Sequence, residues 1–314
     1  LMRNAPLESA ERVPFLIGGQ RISAGLPWYR GPAGAPMEPE NRAVCQVVEE
    51  DMLSIDVEGV GWYTLMWTPT ASLHEVLGFS RDHGVLAATD DPEVLSLTAG
   101  FLFTEGLIRS LKDVRRMEVC SNDSGIVRVQ LVEPDSLSPR RRNVTVSSSC
   151  GVCGGREAVD RLVAGLVAVP DTARLRSAQF DELMSAMRKL QTVFTQTGGA
   201  HAAAVFDRNA QIIAVAEDLG RHNALDKVIG MCLLKDADLS GCGVLLSSRL
   251  SLEMITKAIR AGFEIIAAVS APTSLAIEIA GRFGVTLGGF VRGGRVTIYS
   301  QPQRIVELGA ATLP

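Results

Sequence analysis

The stretch "GVLLSSRLSLEMITKAIRAGFEIIAAVSAPTSLAIEIAGRFGVTL" runs from Gly243 to Leu287. Within it "GVLLSS", "EIIAAVS" and "VTL" read as strands, and "SLEMITKAIRAG" and "SLAIEIAGRFG" as helices. The strands are short, continuous apolar runs. Alternation of such strands with helices predicts a largely parallel sheet covered on both faces. The pattern extends outward. Upstream, "HAAAVF" and "QIIAVAE" flank a turn at Asp207–Asn209, and "HNALDKVIGMCLL" is a helix; downstream, "RVTIYS" is one more strand. The fold class is α/β, with a layered α/β domain over 150–314.

Further upstream, "REAVDRLVAGLVAV" has paired apolar residues every four positions, which predicts a helix over 156–168. A second helix is expected over 178–194, carried by Phe180, Leu183, Met184, Met187, Leu190 and Phe194. Residues 47–149 read as a smaller α+β domain. Two strands lie around Glu58-Gly59, "PEVLSLTAGFLFTEGLI" is a helix, and "RRMEVC" and "IVRVQLVE" are strands. Residues 1–46 form an arm rich in Pro and Gly, without periodicity.

Composition narrows the function classes. The chain has 314 residues, 46% hydrophobic and 21% charged, with a net charge of −4. Nothing in that balance advertises a nucleic-acid or membrane partner. No apolar run approaches the ~18 residues of a membrane span. The N-terminus shows no secretory leader pattern, and the expectation is a cytoplasmic protein. Six cysteines, Cys45, Cys120, Cys150, Cys153, Cys232 and Cys242, are then read as free thiols rather than a disulfide framework.

In sheets of this kind ligands bind beyond the carboxyl ends of the strands. Two loops there, Ser247–Ser251 and Ser270–Ser274, each follow a strand and open a helix. Their hydroxyls and free N–H groups suit a phosphate, although Ser and Thr are also ordinary helix caps. Ser248, Arg249, Thr273 and Ser274 are the candidates. A third cluster, "EDLGRHNALDKV", packs Arg221, His222, Asn223, Asp226 and Lys227 at the end of a strand, and a carboxylate, Asp218 or Asp226, could pair with ring N–H donors of a purine. His201 enters an apolar strand after Gly198-Gly199, which permit close approach. In "GGFVRGGRV" glycines surround Arg292. The reading is a ligand grip or a plain hairpin turn.

Cys150 and Cys153 form a C-x-x-C in "SSSCGVCGG". Three chemistries use such a pair. A zinc site requires four ligands, or three and an open position, and no second pair or neighbouring His is present; no metal site is expected. A dithiol oxidoreductase requires a surrounding thioredoxin-like pattern. Sulfur or acyl transfer from a nucleophilic thiolate suits the pair best, because the following helix start and Arg156 favour the ionised sulfur.

Taken together, "AGFLFTEGLI", "SSCGVCGG", "TGGAHAAAV", "EDLGRHNALDKVIG", the Ser247–Ala280 stretch and "GGFVRGGRVTIYS" resemble the FdhD/NarQ family of formate dehydrogenase accessory sulfurtransferases. The resemblance implies a C-terminal domain of cytidine-deaminase-like fold without the deaminase zinc ligands. It implies a persulfide carrier: a cysteine desulfurase loads Cys150, Cys153 assists, and the sulfur passes to the molybdenum or tungsten of a bis(molybdopterin guanine dinucleotide) cofactor. The sulfurated cofactor then enters apo formate dehydrogenase. GDP or GMP would mimic part of that cofactor. It places cofactor contacts on Phe290, Val291, Arg292, Gly293, Gly294 and Arg295, and it implies a homodimer. Where the family usually has Ser-Gly-Arg, this chain has Ser247-Ser248-Arg249, which raises the expectation of a cost if Ser248 adopts φ > 0. An insertion of about twenty residues is expected between Pro69 and Glu93, judged against ordinary loop lengths.

Overall fold

The computed structural model describes residues 46–69, 78–86, 92–134 and 155–307, with short strands at 15–16, 22–23, 27–29, 42–44 and 144–146. Cys150 and Cys153 lie outside the described residues, as do Cys45 and much of the arm.

Strands β1 (Phe15–Leu16), β2 (Ile22–Ser23), β3 (Pro27–Tyr29), β4 (Arg42–Val44) and β5 (Val47–Val48) are two or three residues long. β2 pairs with β5 and β3 with β4, both antiparallel. Next come β6 (Asp51–Val57), β7 (Gly61–Trp67), β8 (Gly78–Ser80) and β9 (Gly84–Leu86). Helix α1 (Glu93–Thr104) follows, then β10 (Val114–Cys120), β11 (Asp123–Leu131) and β12 (Val144–Val146). Strands β6 to β12 make a seven-stranded sheet in the order β12-β7-β6-β11-β10-β8-β9. The β8–β9 hairpin falls in the stretch between Pro69 and Glu93 and turns at Gly84, whose φ is +71°.

The second half comprises α2 (Gly155–Val163), α3 (Ser177–Leu190), α4 (Thr192–Thr197), β13 (His201–Phe206), β14 (Ile212–Asp218), α5 (Arg221–Leu234), β15 (Gly243–Leu246), α6 (Leu252–Arg260), β16 (Ile265–Ala268), α7 (Ser274–Arg282), β17 (Thr286–Arg292) and β18 (Arg295–Ser300). Their sheet runs β1-β14-β13-β15-β16-β17-β18. It is mixed rather than largely parallel. β15, β16 and β17 are parallel neighbours, while β13 is antiparallel to both β14 and β15, and β18 to β17. The tight turn at Asp207–Ala210 forces the β13–β14 reversal, with Asp207 accepting the N–H groups of Asn209 and Gln211.

Alternate residues of a strand face opposite sides of the sheet. Ala202, Ala204 and Phe206 pack with Phe180, Leu183, Met184 and Met187 of α3. Ala203 and Val205 join the core formed by α5, α6 and α7. Helix α1 lies between that helical layer and the first sheet, where Leu95, Leu97, Phe101 and Leu102 cover Leu53, Ile55, Leu65 and Val127. The stack therefore reads α3, sheet, α5–α7, α1, sheet. The α1–α5 contact is unusually close. A Cβ on Gly100 would sit 1.8 Å from the Asp226 carbonyl oxygen, and one on Gly230 1.8 Å from that of Ser96.

The helices differ from expectation in two places. α2 is shorter, ending at Val163. The helix expected over 178–194 stops at Leu190, and α4 starts anew at Thr192. Glu217 explains the restart: its carboxylate accepts the N–H groups of Val193 and Phe194, both at 2.9 Å, and so caps α4.

Candidate functional site

The site lies at one edge of the second sheet, where β14, β15 and β16 end and β13 begins. Three helices, α5, α6 and α7, start there with their positive ends facing outward. The two serine-rich loops lie side by side. Leu250 pairs with Pro272, the Leu250 N–H donates to Ala271 O at 3.2 Å, and the Thr273 N–H donates to Leu250 O at 2.9 Å.

The hydroxyls in these loops differ in use. Thr273 caps α7, accepting from the Ala276 N–H at 3.3 Å. Ser248 is buried and its hydroxyl donates to Arg249 O at 3.0 Å. Its φ is negative, so the Ser-for-Gly departure carries no left-handed strain. Ser251 occupies the cap position of α6 without making a cap bond, and its buried Oγ has no partner in the described residues. Arg249, Thr273 and Ser274 are exposed.

His201 and Arg221 meet at the same edge. His201 Nδ1 lies 3.4 Å from Ser247 Oγ, which accepts the Ala202 N–H at 2.8 Å. Burial, and then the Arg221 guanidinium and His222, push the His201 imidazole below its usual range, against the pull of Asp218. His222 Nε2 lies 3.0 Å from Glu253 Oε2, tying the first turn of α5 to that of α6. His222 in turn holds the Glu253 carboxyl below the ordinary value.

Asn223, Asp226 and Lys227 face inward instead. Asn223 Nδ2 donates to Met66 O at 2.6 Å and to Asp218 Oδ1 at 2.9 Å. Lys227 Nζ contacts Glu93, lies 2.7 Å from Asp218 Oδ2, and donates to Thr68 O at 2.9 Å. Burial pulls this ammonium down, but Asp218 and Glu93 outweigh it and hold it above the ordinary lysine value. Asp226 accepts from Thr104 Oγ1 at 2.7 Å and from Lys257 Nζ at 2.8 Å, and Lys257 also pairs with Glu105 at 2.9 Å. These groups join the second half of the chain to α1 and the first sheet. The two carboxylates offered for a purine, Asp218 and Asp226, are both buried and bonded to these internal partners. Asn223 and Lys227, read from sequence as ligand contacts, are likewise buried and bonded within the chain.

The glycine-rich strand end leans on the second serine loop. Phe290 N–H donates to Ser270 O at 3.2 Å. A Cβ on Gly289 would stand 3.0 Å from Pro272 Cδ and 3.2 Å from Ser270 O, so a larger residue would crowd the approach. At the bulge that follows, Phe290 adopts φ +54° and is 38% exposed, with Arg292 5.8 Å from its ring centroid. Val291 points the other way and is fully buried against the α3 side. Gly293 and Gly294 turn with φ of +58° and +70°, and the Gly294 N–H donates to Asp181 at 3.1 Å. Arg295 starts β18 and is exposed.

Sequence reasoning placed Ser247 and Ser251 in the first loop without choosing them as candidates, and missed Glu253 as a member of the edge. Ser251 and Glu253 carry a helix-start signal, a Ser followed by an acid in the first turn. Nothing local ties Ser247 to His201, 46 residues away. The elements flanking the C-x-x-C are described. β12 ends at Val146, paired in parallel with Leu65, and the next residue, Met66, accepts from Asn223 of α5. α2 begins at Gly155, two residues after Cys153. Among the described residues no cluster of His, Cys, Asp and Glu is arranged to hold a metal, and no helix is long and apolar enough to cross a membrane.

Residues 92–306 match the family model described as the FdhD/NarQ family. The chain belongs to that family. Among curated members, it is 41% identical over 214 residues to the sulfur carrier protein FdhD of Thermoplasma acidophilum, covering 67% of this chain and 75% of the relative. It is 38% identical over 264 residues to that of Bordetella bronchiseptica, covering 82% and 87%. The fold matches a protein of Desulfotalea psychrophila described as a formate dehydrogenase accessory protein, with a TM-score of 0.63 and 23% identity, over 93% of this chain and all of the other.

Proposed function

We propose that this protein is a sulfur carrier serving formate dehydrogenase, working as a homodimer in the cytoplasm. The observation that carries the reading is the Cys150/Cys153 pair in a chain that matches sulfur carrier proteins over most of its length. In the loading step the Cys150 thiolate attacks the terminal sulfur of a cysteine desulfurase persulfide. The desulfurase thiolate leaves and Cys150 carries the persulfide. In delivery, the terminal sulfur passes to the metal of the bis(molybdopterin guanine dinucleotide) substrate as Cys153 attacks the inner sulfur of Cys150. The resulting disulfide is returned to two thiols by a cellular dithiol. The start of α2 two residues beyond Cys153 supports a thiolate there, because a helix N-terminus favours negative charge.

The substrate's guanine and pyrophosphate groups suit the edge built by α5, α6 and α7. Ser251 Oγ is unpartnered among the described residues, Arg221 and Arg249 supply positive charge, and Phe290 offers an aromatic face. In this reading the second half is a cytidine-deaminase-like domain that binds rather than hydrolyses a purine nucleotide.

The test is the intact mass of the protein after incubation with a cysteine desulfurase, cysteine and pyridoxal phosphate. Gain of one sulfur mass, reversed by reductant and abolished in Cys150→Ala, is the expected result. No gain in any variant, with GDP binding retained, overturns the carrier and leaves a cofactor chaperone built on the same edge.

A further inference from the structure

His201 stands at the mouth of the strand-end edge, and its contact with Ser247 bears on where its ring proton sits. Ser247 Oγ has one proton and two lone pairs. One lone pair accepts the Ala202 N–H at 2.8 Å. The hydroxyl proton has a single acceptor within reach among the described residues, His201 Nδ1 at 3.4 Å. The strands hold this geometry, since the Ser247 N–H also donates to Ala202 O at 3.0 Å. With the hydroxyl proton directed at that acceptor, Nδ1 accepts and the proton of a neutral ring resides on Nε2. Nε2 has no partner among the described residues, and it is not enclosed.

The groups facing the ring keep it neutral. Arg221 and His222 approach from α5 and Asp218 from β14. Asp218 is already bonded to the Gly220 N–H, Asn223, the Thr68 N–H and Lys227. Ser247 contributes no charge. The burial of the ring and the Arg221 guanidinium both disfavour a second proton.

We infer that His201 is a positioning residue that presents one neutral N–H donor, at Nε2, to an acceptor oxygen of the ligand bound at this edge. The inference rests on the reading that the edge holds the guanine nucleotide part of the substrate. A donor of this kind selects a phosphate oxygen or a ring carbonyl and leaves a ligand amine without a partner. The relay Ala202 N–H to Ser247 to His201 favours this tautomer, because reversing the ring proton would take from the serine proton the acceptor that the described residues offer it.

Nuclear magnetic resonance of protein carrying nitrogen-15 histidine tests this, with four histidines to resolve. The expected spectrum shows His201 neutral near pH 7 with the proton on Nε2, and a mixture of tautomers in Ser247→Ala. A wild-type ring protonated on Nδ1 overturns the inference. Calorimetry with GDP supplies the second readout. His201→Gln keeps an N–H donor and binds within about threefold of wild type, whereas His201→Phe weakens binding by about tenfold, the worth of one hydrogen bond. Equal binding by the two variants overturns the inference while leaving the edge as the nucleotide site. Absence of GDP binding in the wild type defeats the reading of the edge itself. The source of the acceptor is then read from the His201 signal. A shift induced by guanosine assigns it to the base carbonyl, and one induced by pyrophosphate to a phosphate oxygen. A shift with neither, while GDP binds, overturns the inference.

Discussion

Lys227 Nζ lies 2.7 Å from Asp218 Oδ2, with both side chains fully buried. The same ammonium reaches Glu93 and the Thr68 carbonyl, so one lysine of α5 neutralises two acids and bonds backbone from the first sheet. Lys227→Met removes the cation and leaves two buried carboxylates uncompensated. The expected cost is about 3–5 kcal/mol, read as a lower urea midpoint. A change below 1 kcal/mol would show that water reaches the pair.

The α1–α5 crossing tolerates no added methyl group. Gly100→Ala drives a Cβ into the Asp226 carbonyl, and Gly230→Ala into that of Ser96. Each is expected to destabilise by about 3 kcal/mol or more, as overpacking does where backbone is the obstacle. Gly281→Ala, which meets nothing within 4 Å, is the control, expected within about 1 kcal/mol of wild type. Thermal unfolding of the three variants decides the matter.

Alkali should weaken the fold through two buried thiols. Burial pushes Cys232 up to about 12 and Cys242 up to about 11, from 9.0. Both remain protonated in the folded chain at a pH where the unfolded chain has released its protons. The stability they contribute is full below pH 9 and is lost as pH rises through 11 to 12. Unfolding free energy should fall above pH 9, and less steeply in Cys232→Ala/Cys242→Ala. A thiol reagent should leave both unmodified until the chain unfolds; prompt reaction in the native state would contradict their burial.

In the proposed reading, Phe290 separates stability from binding. Its φ of +54° is costly for any side chain, so Phe290→Gly should recover about 1 kcal/mol of backbone strain. The ring is 38% exposed and is not part of the buried core clusters. GDP affinity should nevertheless fall by about tenfold, the loss of one base-stacking contact of ~1–3 kcal/mol. Unchanged affinity by calorimetry would remove Phe290 from the site.

Much of this was readable in the residues. The strand and helix alternation from His201 to Ser300 appears where expected because those apolar runs are continuous and bounded by turns. Sheet direction was not readable, since a strand buried on both faces looks the same in either orientation. The paired serine loops were legible as an edge. The roles of Asn223, Asp226 and Lys227 were not, because a charged helix start reads alike whether it meets a ligand or the chain itself. Their partners, Met66, Thr104 and Glu93, are 157, 122 and 134 residues distant. The His201 and Ser247 pairing was hidden for the same reason.

The glycine crossing also bears on how the protein is made. α1 emerges from the ribosome long before α5, and Glu93 waits 134 residues for Lys227. Until then the face of α1 around Gly100 has nothing to lie on. The nascent first half carries an open seam that only synthesis of the second half can close. Chains truncated before residue 234 should therefore collect on chaperones, and separately expressed halves should need each other to become soluble.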